Sequence, residues 1–250
     1  MDRRTLIAHL DHYLDIGRFE DGSWNGLQVE GADEVERVAY AVDACDESIA
    51  GAAQHQCQML VVHHGLMWGK GLRIVGPDKR KMAALLTHDL SLYAAHLPLD
   101  AHAEVGNNVE ILRRLGAIDL VPFGRQRAVS VGWRGTLAKP LTTAQLVKKI
   151  EKTLDTRCAV YPYGPARVRH VAAISGAGGF GVFEAPDAGV EVLVTGEWDY
   201  SKVHFARDHG VTVIAAGHYR TETTGVQCLA RHVEDTLGLP GTYLDFPIDL

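Results

Sequence analysis

The sequence predicts an α/β protein built from two intertwined, duplicated units, each a mixed sheet flanked by helices. Short apolar runs bounded by glycine or histidine indicate strands that are buried on both faces. These runs alternate with segments of helical period, and the same order recurs in the second half of the chain. We expect the units to comprise residues 1–125 and 168–250, with a smaller inserted α+β segment at residues 126–167.

The recurrence appears as identities at fixed offsets. When the two halves are aligned at a fixed difference of 133 residues, Val38 matches Val171 and Leu60 matches Leu193. An offset of 121 residues relates the third strand of one half to the third strand of the other. Two related halves packed together would bring matching strand ends into one cleft, so polar residues at those ends are the candidates for a functional site.

Each half follows the same alternation of helix and strand. The first half predicts a helix at 3–15, strands at 38–42, 59–64 and 90–95, helices at 43–54, 79–88 and 109–115, and a glycine-rich flap at 66–76. The rest predicts strands at 128–137, 159–161 and 168–174, a helix from a Thr142-Thr143 cap to residue 154, and a helix that begins near Tyr219.

Composition excludes several classes of protein. The net charge of -6 and the pI of about 6.1 argue against a nucleic-acid partner. The chain contains no apolar run long enough to span a membrane, and its first residues form an amphipathic pattern that differs from a signal peptide. The four cysteines are scattered without a C-x-x-C pair, which favours reduced thiols and a cytoplasmic protein.

A histidine pair ends the most apolar strand. His63 and His64 follow the apolar residues 59–62 and precede Gly65. Ligands bind beyond the carboxyl ends of strands in open α/β sheets, so both imidazoles are candidate metal ligands. Adjacent strand residues point to opposite faces, so the pair would serve two ions, or one of them would serve a single ion. The alternative is a core histidine that bonds to a backbone carbonyl.

A second polar strand end lies near residue 218. His218 and Glu222 are four residues apart, which places them on one face of the predicted helix and within reach of a common ion. The alternative is that Glu222 only benefits from the positive end of the helix macrodipole.

Together, the strand ends offer imidazoles and carboxylates and no thiolate. The candidate ligands are His63, His64, Asp100, His218 and Glu222, with His96, His102 and Glu197 as near neighbours. Such a set suits Zn, Fe, Mn, Ni or Co without selecting among them. Five ligands, with Glu222 bridging, fit two divalent ions about 3.5–4 Å apart that share a water.

Five motifs carry a resemblance to a known family. They lie at residues 25–31, 62–65, 96–100, 195–197 and 217–222. In this order they resemble the signature of the NIF-three-like dinuclear-metal proteins, also called GTP cyclohydrolase 1 type 2 homologs. The resemblance implies a two-domain α/β fold of intertwined repeats, a homohexameric toroid and a di-metal site that faces an internal cavity. It also implies that the five candidate ligands bind the metals, with His96, His102 and Glu197 around them.

Other features suggest a bound substrate. Backbone amides at Gly176, Gly178 and Gly179 follow a predicted strand and are candidates to cradle a phosphate; a plain tight turn is the alternative. Trp68 and Trp198 are candidates to line the cleft, or they serve only in packing.

The first functional hypothesis is a metal-dependent hydrolase. A water that bridges two ions would attack a phosphoester, amide or ring C–N bond of a small, nucleotide-like or phosphorylated molecule. His96 or His102 would move the proton, because imidazole titrates near neutral pH. The alternatives are a non-catalytic metal carrier or chaperone and a regulatory scaffold, which would use the same ligands without chemistry.

Overall fold

Two sheets organise the fold, and each is assembled within its own unit of the chain. The structure, a computed structural model, describes residues 1–248, so the last two residues of the predicted 168–250 unit lie outside the described residues. The predicted fold class, mixed α/β with two mixed sheets flanked by helices, is confirmed.

Over residues 1–248 the chain forms eight α-helices, three 3₁₀ helices and eleven strands. The α-helices are α1 (Arg3–Tyr13), α2 (Asp46–Gln54), α3 (Gly76–Thr87), α4 (Leu97–Ala101), α5 (Asn107–Arg114), α6 (Thr143–Leu154), α7 (Val203–Asp208) and α8 (His218–Leu237). The strands are β1 (Gly26–Val29), β2 (Val38–Asp43), β3 (Met59–His64), β4 (Ser91–Ala94), β5 (Ala117–Gln126), β6 (Val129–Thr142), β7 (Ala159–Tyr161), β8 (Arg167–Ile174), β9 (Val192–Thr195), β10 (Thr212–Ala215) and β11 (Gly241–Tyr243). The 3₁₀ helices are Ile16–Arg18, Gly178–Phe183 and Tyr200–Lys202.

The N-terminal unit comprises Met1–Leu99 and Val226–Phe246. Its sheet has the order β1-β4-β3-β2-β11, in which β1 is antiparallel to β4 and the other neighbours are parallel. Apolar residues of β2, β3 and β4 pack with those of α2 and α3 into one core. Burial on both faces explains why these strands are continuous apolar runs in the sequence.

The central unit comprises Asp100–Gly225 and the short stretch that begins at Pro247. Its sheet has the order β5-β6-β8-β9-β10-β7, with β8, β9 and β10 parallel and the remaining pairs antiparallel. Helices α5 and α6 cover its core. The predicted helix cap is confirmed, since Thr142 accepts a hydrogen bond from the Gln145 amide, and the Gln145 side chain accepts one from the Thr142 amide in a capping box.

Strand register agrees with the sequence offsets. Ala39 lies opposite Leu60 in the parallel pair β2–β3, and Ala172 lies opposite Leu193 in the parallel pair β8–β9. Both pairs are related by the offset of 133 residues, and the third parallel strand of each sheet follows the offset of 121. The matched registers support the predicted internal duplication.

The structure differs from the predicted division at residues 126–167. Strands β6 and β7 and helix α6, which lie largely in this segment, are integral parts of the central unit and do not form a separate module. Strand β5 was absent from the predicted elements because it is an irregular edge strand. It contains Pro122, its register shifts between Ile118 and Val121, and its exposed residues do not alternate.

The glycine-rich sequence after β8 forms the 3₁₀ helix Gly178–Phe183, because glycine weakens α-helix formation. Among the described residues, no helix combines the length and hydrophobicity that crossing a membrane requires.

Candidate metal centre

Three histidines of the N-terminal unit meet at the carboxyl edge of its sheet. His63 and His64 end β3, and His96 follows β4. One nitrogen of each ring lies within 4.8 Å of the nitrogens of the other two, which is close enough for a common ion. The ring centroids of His63 and His64 are 4.7 Å apart, and those of His63 and His96 are 5.0 Å apart. The structure therefore brings His96 into the same group as the predicted histidine pair.

The Nδ1 atoms of the histidine pair are each held by an oxygen. His63 Nδ1 lies 3.0 Å from the carbonyl oxygen of Ala95, and His64 Nδ1 lies 2.8 Å from a carboxylate oxygen of Asp43. A ring that donates from Nδ1 keeps its lone pair on Nε2, the form in which imidazole binds a metal. The carbonyl bond expected of a core histidine is therefore present at His63, and it is compatible with a ligand role.

His96 is held in the same way by a buried carboxylate. Its Nδ1 lies 2.9 Å from Asp21, which also accepts hydrogen bonds from Asn25 and from the amides of Ser23 and Leu97. Burial by itself raises the pKa of Asp21, but the bonds from His96, Asn25 and Ser23 outweigh it and hold that pKa far below its usual range. Asp21 is thus an ionised group that fixes the orientation of His96.

Residues of β1 fasten the loop that follows the histidine pair. The Gln28 side chain accepts from the amides of Leu66 and Met67, at 2.7 and 3.0 Å, and donates to the Trp24 carbonyl. A Cβ on Gly65 would lie within 2.6 Å of the Gln28 amide, so only glycine permits this packing. This explains why the sequence motif at 25–31 accompanies the histidine motif.

Trp68, in the predicted flap at residues 66–76, packs against the histidine group. The Trp68 indole donates to the Gly65 carbonyl at 2.8 Å, and its ring meets His96 edge-on with centroids 5.0 Å apart. Trp68 therefore lines this edge of the sheet, as the sequence suggested.

A second group of ligands lies in the central unit, at the start of α8. The helix begins at His218, as predicted within one residue, and His218 Nε2 lies 3.2 Å from Glu222 Oε1. Glu197 accepts from His218 Nδ1 at 2.5 Å, so a fourth histidine has its Nδ1 held by an oxygen. The hydrogen bond to Glu222, together with Glu197, outweighs burial and raises the pKa of His218 to about 9.

The backbone of Gly176 packs closely against the side chains of His218 and Glu222. A Cβ on Gly176 would lie 2.2 Å from Glu222 Oε1 and 2.9 Å from His218 Nε2, and Gly176 has a φ of +55°. Its amide donates to the Thr221 hydroxyl at 3.0 Å. The absence of a side chain at Gly176 therefore leaves room for the two candidate ligands. Its amide, a predicted phosphate contact, donates instead to Thr221. Gly178 instead packs on Ile174, and Gly179 faces Trp198.

Asp100 is buried in the central unit and held by two donors. Its Oδ1 accepts from Asn107 Nδ2 at 2.9 Å and from the Ser175 hydroxyl at 2.7 Å. Asn107 in turn accepts from the amide of Gly225 at 2.6 Å, which ties the carboxylate to α8. Such contacts fix one carboxylate oxygen and therefore orient the other.

His102 has a different environment. Its Nδ1 accepts from the amides of Glu104 and Val105, at 3.1 and 3.2 Å, which places the proton on Nε2. Within the described part of the chain it joins no group of side chains arranged for a metal.

Sequence reasoning missed the residues that orient the ligands. Asp43 lies beside His64 in the register of the parallel pair β2–β3, so aligning the strands would have revealed it. Asp21 lies in irregular chain before β1, and no periodic signal marks it.

The donor set fits a divalent transition metal. Imidazole nitrogens and carboxylate oxygens are ligands of Zn, Fe, Mn, Ni and Co, and the held Nδ1 atoms match the outer contacts that metal-binding histidines make. The N-terminal unit offers three imidazoles, and the central unit offers the imidazole of His218 with the carboxylate of Glu222. Asp100 also lies in the central unit, but within the described residues it joins no group of side chains arranged for a metal.

Comparison with known proteins gives consistent matches along the chain. The family model of Duf34/NIF3 (NGG1p interacting factor 3) matches residues 1–245. A protein of Archaeoglobus fulgidus named GTP cyclohydrolase 1 type 2 homolog is 45% identical over 250 residues, which is 100% of each chain. The crystal structure of TTHA1606 from Thermus thermophilus is 41% identical in sequence and has a TM-score of 0.92. The structure of protein ybgI, of unknown function, is 30% identical in sequence and has a TM-score of 0.94. Each of these two matches covers 100% of this chain and 100% of the other chain.

Proposed function

The chain belongs to the Duf34/NIF3 family, and from this premise we propose that it is a metal-dependent hydrolase with a dinuclear centre. The proposed metal ligands are His63, His64, Asp100, His218 and Glu222. The proposed cofactors are two divalent ions per chain, of Zn, Fe, Mn, Ni or Co. The sequence motifs and the family match identify the same family.

One observation carries the metal-binding part of the proposal. Four histidines, His63, His64, His96 and His218, each have Nδ1 against a carbonyl or carboxylate oxygen. This contact fixes both the tautomer and the ring orientation, and it is the usual companion of a metal bound at Nε2. His209, after α7, also has Nδ1 2.9 Å from a backbone carbonyl, that of Phe205, but among the described residues it joins no group of side chains arranged for a metal, whereas His63, His64, His96 and His218 do.

The residues of the chain supply positioning and proton transfer. Bound divalent ions lower the pKa of a coordinated water and polarise a substrate oxygen. His96 is the better candidate for proton transfer, because the negatively charged Asp21 carboxylate lies 2.9 Å from its Nδ1 and fixes the orientation of the ring. The backbone amides at His102 Nδ1 provide no such charge. Asn107 and Ser175 hold Asp100 in one orientation, which avoids a reorganisation cost during reaction.

The proposed substrate is a small phosphorylated or nucleotide-like molecule. Support comes from the name that the relatives carry, GTP cyclohydrolase 1 type 2 homolog. The ligand set would support hydrolysis of a phosphoester, amide or ring C–N bond equally, because two ions held by these residues would supply an activated water suited to any of these centres.

The test is turnover by purified protein loaded with Mn, Zn or Fe against a panel of nucleotides and phosphoesters. We expect hydrolysis that is lost in His64→Ala and in Glu222→Ala and retained in His88→Ala, an exposed histidine at the end of α3. Absence of turnover by wild-type protein with all three metals would contradict a hydrolase. Transfer of bound metal to a metal-free acceptor protein, in the absence of turnover, would instead identify the carrier function.

A further inference from the structure

A cavity of about 800 Å³ opens in the central unit, beside the carboxyl ends of β9 and β10. Glu197, which holds His218 Nδ1, forms part of its wall. Gly196 and Gly217 form part of its lining, so the strand ends leave room for a ligand. The cavity therefore shares Glu197 with the His218 group, and it is large enough for a small organic molecule.

Two aromatic rings form one side of the cavity. Tyr161 ends β7 and Trp198 follows β9, and their ring centroids are 6.0 Å apart at an angle of 44°. Both side chains line the cavity and are only partly buried. Planar heteroaromatic rings stack on the faces of aromatic side chains with little dependence on the identity of the ring.

A positively charged side chain, that of Arg157, lies at the same cavity. Arg157 lines it and is exposed, and in the described part of the chain its guanidinium has no carboxylate partner within ion-pair distance. Asp155, which also lines the cavity, is paired with Arg220 at 3.6 Å. The charge of Arg157 is thus available to an anionic group, and a guanidinium binds phosphate or carboxylate in a bidentate manner.

We propose that this cavity binds the planar heteroaromatic ring of an anionic, nucleotide-like ligand, with the ring on Tyr161 and Trp198 and the anionic group at Arg157. The inference rests on the proposed function, because it identifies the cavity as the substrate-recognition part of the same site. It also assigns Tyr161, Trp198 and Arg157 to specificity, whereas the histidine and carboxylate ligands perform the chemistry.

The test is isothermal titration of the full-length protein, with and without added Mn, using adenosine and guanosine monophosphates, the two nucleosides and inorganic phosphate. We expect the monophosphates to bind about tenfold more tightly than the nucleosides, and inorganic phosphate to bind more weakly still. Tyr161→Leu and Trp198→Leu should each weaken nucleotide binding by about tenfold. Arg157→Gln should weaken binding of the monophosphates by about tenfold and leave nucleoside binding unchanged.

Matched controls keep the result interpretable. Tyr200→Leu removes an aromatic ring that is 80% exposed and outside the cavity lining, and it should bind as wild type does. Arg157→Gln alters an exposed side chain, so it tests the proposal even if a cavity variant fails to fold. Wild-type protein that binds none of the monophosphates, or cavity variants that bind them as tightly as wild type, would overturn the inference.

The two proposals can fail separately. Nucleotide binding that depends on the three cavity residues, without any turnover, would leave the inference standing and overturn the hydrolase. Metal-dependent turnover with a KM that is unchanged in all three variants would leave the hydrolase standing and overturn the inference.

Discussion

Single contacts to ring nitrogens and carboxylate oxygens determine what the candidate ligands can bind. His64 Nδ1 lies 2.8 Å from Asp43, and His218 Nδ1 lies 2.5 Å from Glu197. The sequence motifs predicted the histidines, because a histidine at a strand end is a local signal. The sequence did not predict Asp43 or Asp21, because their contacts form only when separate segments are brought together by folding.

Gly176→Ala tests whether the glycine backbone gives space to His218 and Glu222. The added Cβ would lie 2.2 Å from Glu222 Oε1, so the ligands must move, and we expect the affinity for Zn to fall by about tenfold or more. Gly189→Ala is the matched control, since Gly189 has a similar φ of +66° and no atom within 4 Å of its added Cβ. Both variants carry the backbone penalty of about 1–2 kcal/mol, so equal Zn affinities in a competition titration would contradict the assignment.

Asp21→Asn tests the carboxylate that holds His96. The substitution removes the negative charge and places an amide where four donors now point, so His96 loses its fixed orientation. We expect metal affinity to fall by about 10–100-fold while the circular dichroism spectrum is retained. Asp235→Asn changes an exposed carboxylate on α8 and should leave the affinity at the wild-type value. An unchanged affinity in Asp21→Asn would remove Asp21 from the site.

The sequence predicts well those helices and strands whose apolar residues recur at a regular spacing, and it does not predict the irregular ones. Helices α1, α5 and α6 and the buried strands β2, β3 and β4 lie within a few residues of the predicted bounds, because burial on a sheet or helix face imposes a regular apolar pattern. Strand β5 escaped prediction because it lies at a sheet edge, carries a register shift and has few buried side chains.

Gln28→Ala tests the connection between β1 and the loop that follows β3. Loss of this side chain leaves the amides of Leu66 and Met67 without their acceptor, and we expect a cost of about 1–3 kcal/mol in the free energy of unfolding. Hydrogen exchange should accelerate at residues 65–75, and urea unfolding should report the loss of stability. Gln54→Ala, at the end of α2 and away from this loop, should change neither measurement. Unaltered exchange at residues 65–75 in Gln28→Ala would show that other contacts fasten the loop.

At the scale of the whole molecule, the sequence predicted two duplicated units but divided the chain differently. The offset of 133 residues reappears in the strand registers, since Ala39 pairs with Leu60 and Ala172 with Leu193. The segment 126–167 looks separate in the sequence because its strands alternate in polarity, whereas β2 and β3 begin with continuous apolar runs. Antiparallel strands with one exposed face look different in sequence from parallel buried strands, even when they belong to one sheet.

The family resemblance also predicts a homohexamer. Light scattering coupled to gel filtration should give a particle of six chains of 27.2 kDa each. A particle of one or two chains at micromolar concentration would contradict the predicted assembly. The metal-loaded and metal-free proteins should be compared, because binding of metal at the proposed ligands would also stabilise the folded chain.

The most direct test of the central claim is the number of transition-metal ions bound per chain, measured by elemental analysis of purified protein after metal loading and dialysis. The account predicts two ions per wild-type chain, fewer in His64→Ala and in Glu222→Ala, and two in His88→Ala. Wild-type protein that retains no ion, or a bound ion count that the His64 and Glu222 substitutions leave unchanged, would contradict the account.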